Sequence, residues 1–136
     1  MNPAKQLENR AKQFAIRIIR LSRALPKTPE AGVIRNQLLR SATSVEANYR
    51  AACRSRSDAE FLSRLAVVLE EADETVYWLE LLVEVGVIPS KRLQPLIQEA
   101  DELLRIFSAG RHTTQTHIRN RKSEIGNRQS AGADLA

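Results

Sequence analysis

A single cysteine, Cys53, is all that the sequence offers to thiol chemistry, so neither an intrachain disulfide nor a cysteine-based zinc site can form, as expected in a reducing cytoplasm. Histidine is almost as scarce. His112 and His117 are the two present, and neither belongs to a Glu-x-x-His pair of the kind that holds metal ions in di-metal helical bundles. The five glycines are scattered singly, and neither Gly-x-x-x-x-Gly-Lys nor Gly-x-Gly-x-x-Gly occurs, which removes the usual phosphate-cradling loops. Aromatic residues make up 4% of the chain, leaving little beyond Tyr49 in the basic half for stacking on bases. No apolar run approaches the roughly 18 residues needed to span a bilayer. The N-terminal apolar residues are interrupted by Lys12, Arg17, Arg20 and Arg23, so no signal peptide or membrane anchor is expected.

These absences weaken every enzymatic reading. Glu70, Glu71, Asp73 and Glu74 form an acidic cluster without a histidine, which reads as a solvated helix face. Cys53 stands among Arg50, Arg54 and Arg56, which could lower its thiolate pKa, yet a lone helical cysteine reads first as packing. A non-enzymatic protein with no catalytic residue, metal ligand or cofactor is expected.

Charge is the feature that is present in excess, and it is segregated. Residues 1–56 carry twelve Lys or Arg against three acids, residues 57–113 carry five against eleven, and residues 114–136 carry four against two. Segregation on this scale points either to an anionic partner for one part or to self-association that joins unlike parts.

Four amphipathic helices account for the apolar spacing. Asn2-Pro3 opens a helix over about 3–24 with the seam Leu7, Ala11, Phe14, Ile18, Leu21 and Leu25, ended by Pro26. Thr28-Pro29 opens a second, whose seam of Ala31, Ile34, Leu38, Ser41, Val45, Asn48 and Ala52 is unusually small and polar. Ser57 with Glu60 is a capping box for a third helix, with the seam Leu62, Leu65, Leu69, Ala72, Val76, Leu79 and Val83, and Gly86 as its stop. Pro89-Ser90 begins a fourth, carried by Leu93, Leu96, Ile97, Ala100, Leu103, Leu104 and Phe107 and fading near Gly110. The fold class is therefore all-α, an antiparallel up-down-up-down four-helix bundle over 1–113 with a disordered basic tail over 114–136. The third helix has more apolar face than its neighbours require, so a homo-oligomer is expected.

The basic half supplies candidate nucleic-acid contacts: Arg17, Arg20 and Arg23 on the first helix, and Arg35, Arg40, Arg50, Arg54 and Arg56 on the second or at its end. Guanidinium forks suit phosphate, and with so few aromatics any recognition is of backbone and shape. The same arginines could instead pair with the acidic third helix or with a neighbouring subunit, as in an adaptor protein that binds no nucleic acid. Gln37, Ser41, Ser44 and Asn48 lie near one stripe of the second helix, and are expected to act in helix packing and interfaces.

The run Gln37-Leu38-Leu39-Arg40-Ser41-Ala42-Thr43-Ser44-Val45-Glu46-Ala47-Asn48, the Arg54-Ser55-Arg56-Ser57 stretch, Glu60-Phe61 and the segment Glu70 to Glu80 carry a resemblance. Over about residues 5–110 the chain resembles the bacterial four-helix-bundle family first described as proteins encoded in intervening sequences of 23S ribosomal RNA genes. The resemblance implies an antiparallel bundle that assembles as a ring, commonly a pentamer. Accessory proteins of diversity-generating retroelements share that fold and ring, and there the basic surface is associated with nucleic acid and a reverse transcriptase, so RNA, DNA or a nucleoprotein are the partners implied. One position departs from the pattern. Where the family usually has Asn-x-x-Glu, Asn48 is followed by Ala51.

Overall fold

The protein, seen in a computed structural model, is described over residues 2–135, with side chains described over 2–128. Its elements are α1 (Pro3–Ala24), α2 (Pro29–Cys53), α3 (Asp58–Glu84) and α4 (Ser90–Leu135). Local chemistry explains each boundary. Asn2 accepts a hydrogen bond from the Lys5 amide at 2.8 Å, Thr28 from Ala31 at 3.3 Å and Ser57 from Glu60 at 3.1 Å, each satisfying a free donor in a first helical turn. Glu60 does not return the bond to Ser57. Its carboxylate accepts from the Arg56 amide instead, one residue earlier than the capping box predicts. α3 ends because Gly86 takes φ 76°, which lets the Gly86 and Val87 amides close on the Val83 and Leu82 carbonyls. At the end of α1 the Arg35 guanidinium donates to the carbonyls of Ser22, Leu25 and Pro26 at 2.9–3.3 Å.

Short connections force the helices to alternate in direction, and contacts run α1–α2, α2–α3 and α3–α4, with a lesser contact closing α1 to α4. The diagonal pairs α1/α3 and α2/α4 do not approach along their backbones. The core follows the expected seams. Phe14, Ile18, Ile34, Leu38, Val45, Leu65, Leu79, Leu93, Leu103 and Phe107 are all buried. α3 is rotated slightly from its expected seam, so that Val68, Thr75 and Leu82 are buried while Leu62, Leu69 and Val83 are half-buried. Tyr49 is 6% exposed, its ring centroid 5.1 Å from that of Phe107, and burial raises its pKa well above the ordinary phenol value, aided by a hydrogen bond with Cys53. It is a core aromatic and not a stacking surface. Cys53 itself is exposed, not packed.

Two polar ties cross the bundle near its surface. Arg10 of α1 binds Glu99 and Glu102 of α4, and Arg40 of α2 binds Glu71 and Glu74 of α3. A third tie is buried. Ser41 of α2 and Thr75 of α3 are both 0% exposed, their hydroxyl oxygens lie 2.9 Å apart, and Thr75 also reaches the Glu71 carbonyl at 2.8 Å.

α4 differs from the expected helix. It continues past Gly110 to Leu135, where a disordered tail over 114–136 is expected from the sequence; residue 136 lies outside the described residues. Gly110 keeps helical backbone instead of the left-handed turn that ends α3, no proline follows it, and Thr114 donates back to its carbonyl at 3.0 Å. With 46 residues α4 is about 69 Å long against about 40 Å for the 27 residues of α3, so it overhangs the bundle by roughly 25–30 Å. Arg121 on that overhang binds Asp58 at the start of α3.

The buried hydroxyl pair predicts strongly non-additive mutations. Thr75→Val should cost about 0.5–1.5 kcal/mol, because Ser41 then keeps only its 3.5 Å contact to the Leu38 carbonyl, whereas adding Ser41→Ala should cost little more, as read by urea denaturation. The Arg40 tie predicts a pH dependence. Arg40, and then the Trp78 indole, hold the Glu74 carboxyl below its ordinary value of 4.5, so the tie is complete above that value and is lost as pH falls through the lowered one. Being mostly exposed it should contribute under about 1 kcal/mol, and Arg40→Gln should flatten that part of the acid-unfolding profile.

Candidate functional site

The reversal between α2 and α3 concentrates positive charge. Arg50 lies in the last turn of α2, Arg54 caps that helix, Arg56 lies in the linker and Arg64 lies two turns into α3. Because the linker is so short, all four converge on one open cleft of about 670 Å³ shared with Glu46, Ala47, Ala51 and Glu60. Internal acids neutralise only part of this charge. Glu60 pairs with Arg64 at 3.3 Å, and Glu8 pairs loosely with Arg50 at 3.8 Å. Among the described residues no carboxylate lies within ion-pair distance of the Arg54 or Arg56 guanidinium. Ala51 lines the cleft with a methyl group.

The cleft joins a second depression along α1 and α2, lined by Lys5, Glu8, Asn9, Lys12, Glu46 and Arg50. Together they form a band around one end of the bundle in which arginine and lysine outnumber acids. None of the lining side chains is aromatic. Such a surface can neutralise phosphates but cannot stack bases.

The eight arginines singled out from the sequence fall into three groups. Arg50, Arg54 and Arg56 share the cleft. Arg17, Arg20 and Arg23 are exposed along α1 and do not reach it. Arg35 and Arg40 spend their guanidinium donors within the protein, the first on the carbonyls ending α1 and the second on Glu71, Glu74 and Gln37. Arg64, which sequence reasoning passed over because it lies in the acidic part of the chain, is the fourth member of the cleft.

The four proposed packing residues also divide. Ser41 makes the buried bridge to α3. Asn48 is half-buried and donates within α2 to the Ser44 carbonyl and hydroxyl, both at 2.9 Å, and Gln37 accepts from Arg40 at 3.1 Å on the same helix. The amide of Asn48 therefore does not pin two helices of the protomer together. Thr75, the true cross-helix partner, was legible only as a polar interruption between Ala72 and Val76.

Nothing in the bundle gathers a metal site: among the described residues no three of His, Cys, Asp and Glu are grouped to hold an ion. No helix among them is long and apolar enough to cross a membrane.

Comparison with known proteins agrees with this architecture. No curated protein matches the chain. The chain is similar to a solved structure from Bacteroides thetaiotaomicron, described as a protein with unknown function from the S23 ribosomal protein family. The two share 31% sequence identity and a TM-score of 0.75, over 80% of this chain and 97% of the other. The family described as "23S rRNA-intervening sequence protein" matches residues 5–109, the span in which the bundle and its motifs lie, and the chain belongs to that family.

Proposed function

We propose that this protein is a non-enzymatic, homo-oligomeric four-helix bundle that binds the phosphate backbone of nucleic acid, free or within a nucleoprotein such as a reverse-transcriptase complex. The observation that carries the reading is the convergence of Arg50, Arg54, Arg56 and Arg64 on one open cleft in which, among the described residues, Arg54 and Arg56 have no carboxylate partner. Free guanidinium forks in a concave surface favour repeated phosphates, and each phosphate neutralised releases counterions, so affinity falls steeply with salt. The family resemblance adds the expectation of a ring, commonly a pentamer, which would repeat the cleft around the assembly and multiply its effective affinity. Arg35 and Arg40 play no part in this proposal, since their donors are used internally.

Ala51 sharpens the proposal. A glutamate there would place a carboxylate among the four arginines, so the alanine leaves the cleft more positive than the usual pattern of the family would.

The test is a salt titration on RNA and DNA probes. The wild-type protein should bind at low salt with a steep negative slope of log K against log salt, and the Arg54→Ser/Arg56→Ser variant should shrink that slope by about two. Ala51→Glu should weaken binding about tenfold, the equivalent of ~1.4 kcal/mol, with unchanged thermal stability. No binding by the wild type even at low salt would leave the adaptor reading in its place.

A further inference from the structure

Charge outside the cleft is arranged in two rows on opposite sides of the bundle. On α3, Glu70, Asp73, Tyr77, Glu80 and Glu84 recur at three- and four-residue spacing, which puts them on one outward face. Tyr77 and the four acids are all exposed, and among the described residues none of the four is ion-paired. On the diagonal helix α1 and the turn after it, Arg20, Arg23 and Lys27 are likewise exposed and unpaired among the described residues.

Internal contacts fix the relative heights of these rows. Glu8 lies beside Arg50, the Ser22 carbonyl beside Arg35, and Ser41 beside Thr75. Neighbouring helices run in opposite directions, so Glu8 stands about level with Ala66 of α3 and Ser22 with Leu81. By the same reckoning Ile19 and Leu39 are level with Tyr77, Arg23 with Glu80 and Lys27 with Glu84. The mismatch is within about two residues, or ~3 Å along the axis, less than the reach of a lysine or arginine side chain.

The apolar features match at the same height. A groove of about 470 Å³ between α1 and α2 is lined by Ile19, Leu25 and Leu39 and rimmed by Arg23, Lys27 and Arg35. On α3 Tyr77 is 53% exposed, yet its position is supported: its ring meets Trp78 edge-on at 4.8 Å, and the Trp78 indole donates to Glu74 at 3.1 Å. An exposed, braced tyrosine flanked by acids is the counterpart of an apolar groove flanked by bases, and tyrosine is a common anchor of interfaces.

We propose that the α3 face of one copy docks on the α1/α2 groove of a second copy, with Tyr77 seated over Ile19 and Leu39, and Glu80 and Glu84 against Arg23 and Lys27. The surfaces differ and occur at equal height, with α1 and α3 running in the same direction. Successive copies are thus related by rotation about an axis parallel to the helices with no shift along it, and such a head-to-tail contact can close into a ring. This deepens the oligomeric part of the proposed function and names its interface. It is independent of the nucleic-acid part, because the Arg54 and Arg56 cleft lies at the other end of α2.

The test uses the full chain in sedimentation velocity across concentration and salt, with Arg23→Glu, Glu80→Arg, their combination and Tyr77→Ser. The wild type should form a discrete oligomer that loosens as salt rises. Each single reversal, and Tyr77→Ser, should weaken assembly at least tenfold with unchanged circular dichroism, and the combined reversal should restore it to within about threefold. A wild type that stays monomeric at low salt would overturn both this interface and the oligomeric reading. An oligomer indifferent to the single variants, or a combined reversal no better than its parents, would overturn this interface alone. Probe binding by a dissociated Tyr77→Ser variant reads the cleft separately.

Discussion

The hydrogen bond between Ser41 and Thr75 is the constraint on which the placement of charge depends. Apolar side chains tolerate sliding and rotation at modest cost, whereas a hydrogen bond between two buried hydroxyls forms in one alignment alone, so this pair selects one register of α2 against α3. Once that register is set, Arg40 meets Glu71 and Glu74, and the short linker brings Arg50, Arg54, Arg56 and Arg64 around one cleft.

The charge split along the sequence does not translate into one basic side and one acidic side. Part of it is cancelled internally, as in the Arg10 and Arg40 ties, where the first raises its own pKa through Glu99 and the second depresses that of Glu74. Part caps a helix, through Arg35. What is left divides between a concave cluster that suits phosphates and two opposed rows that suit each other. The first acts as a polyanion site only if its arginines stay free, and the second supplies a reason for them to do so, since self-association then draws on different residues.

Much of the fold was legible because heptad spacing, caps and stops are local. Three helices begin and end where Asn2-Pro3, Thr28-Pro29, Ser57 and Gly86 place them. The fourth runs on past Gly110, where its apolar pattern fades, because a glycine ends a helix only when its backbone turns left-handed, and nothing in the local sequence decides that. The site was half legible. Arg50, Arg54 and Arg56 are close in sequence and stay close in space, while Arg64 joins them only because the chain reverses. Arg35 and Arg40 look like the other arginines in sequence, and their fates depend on carbonyls and carboxylates brought near by tertiary packing. The burial of Tyr49 has the same origin, since its ring faces Phe107 from α4, far along the chain.

The central claim is that the polyanion cleft and the self-association faces are separate surfaces of one particle. Light scattering during titration of a single-stranded RNA into the assembled protein at low salt tests it most directly. If the surfaces are separate, the particle gains the mass of the bound RNA and keeps its subunit number. Release of subunits as RNA binds would mean that both compete for the same arginines, and would contradict the account.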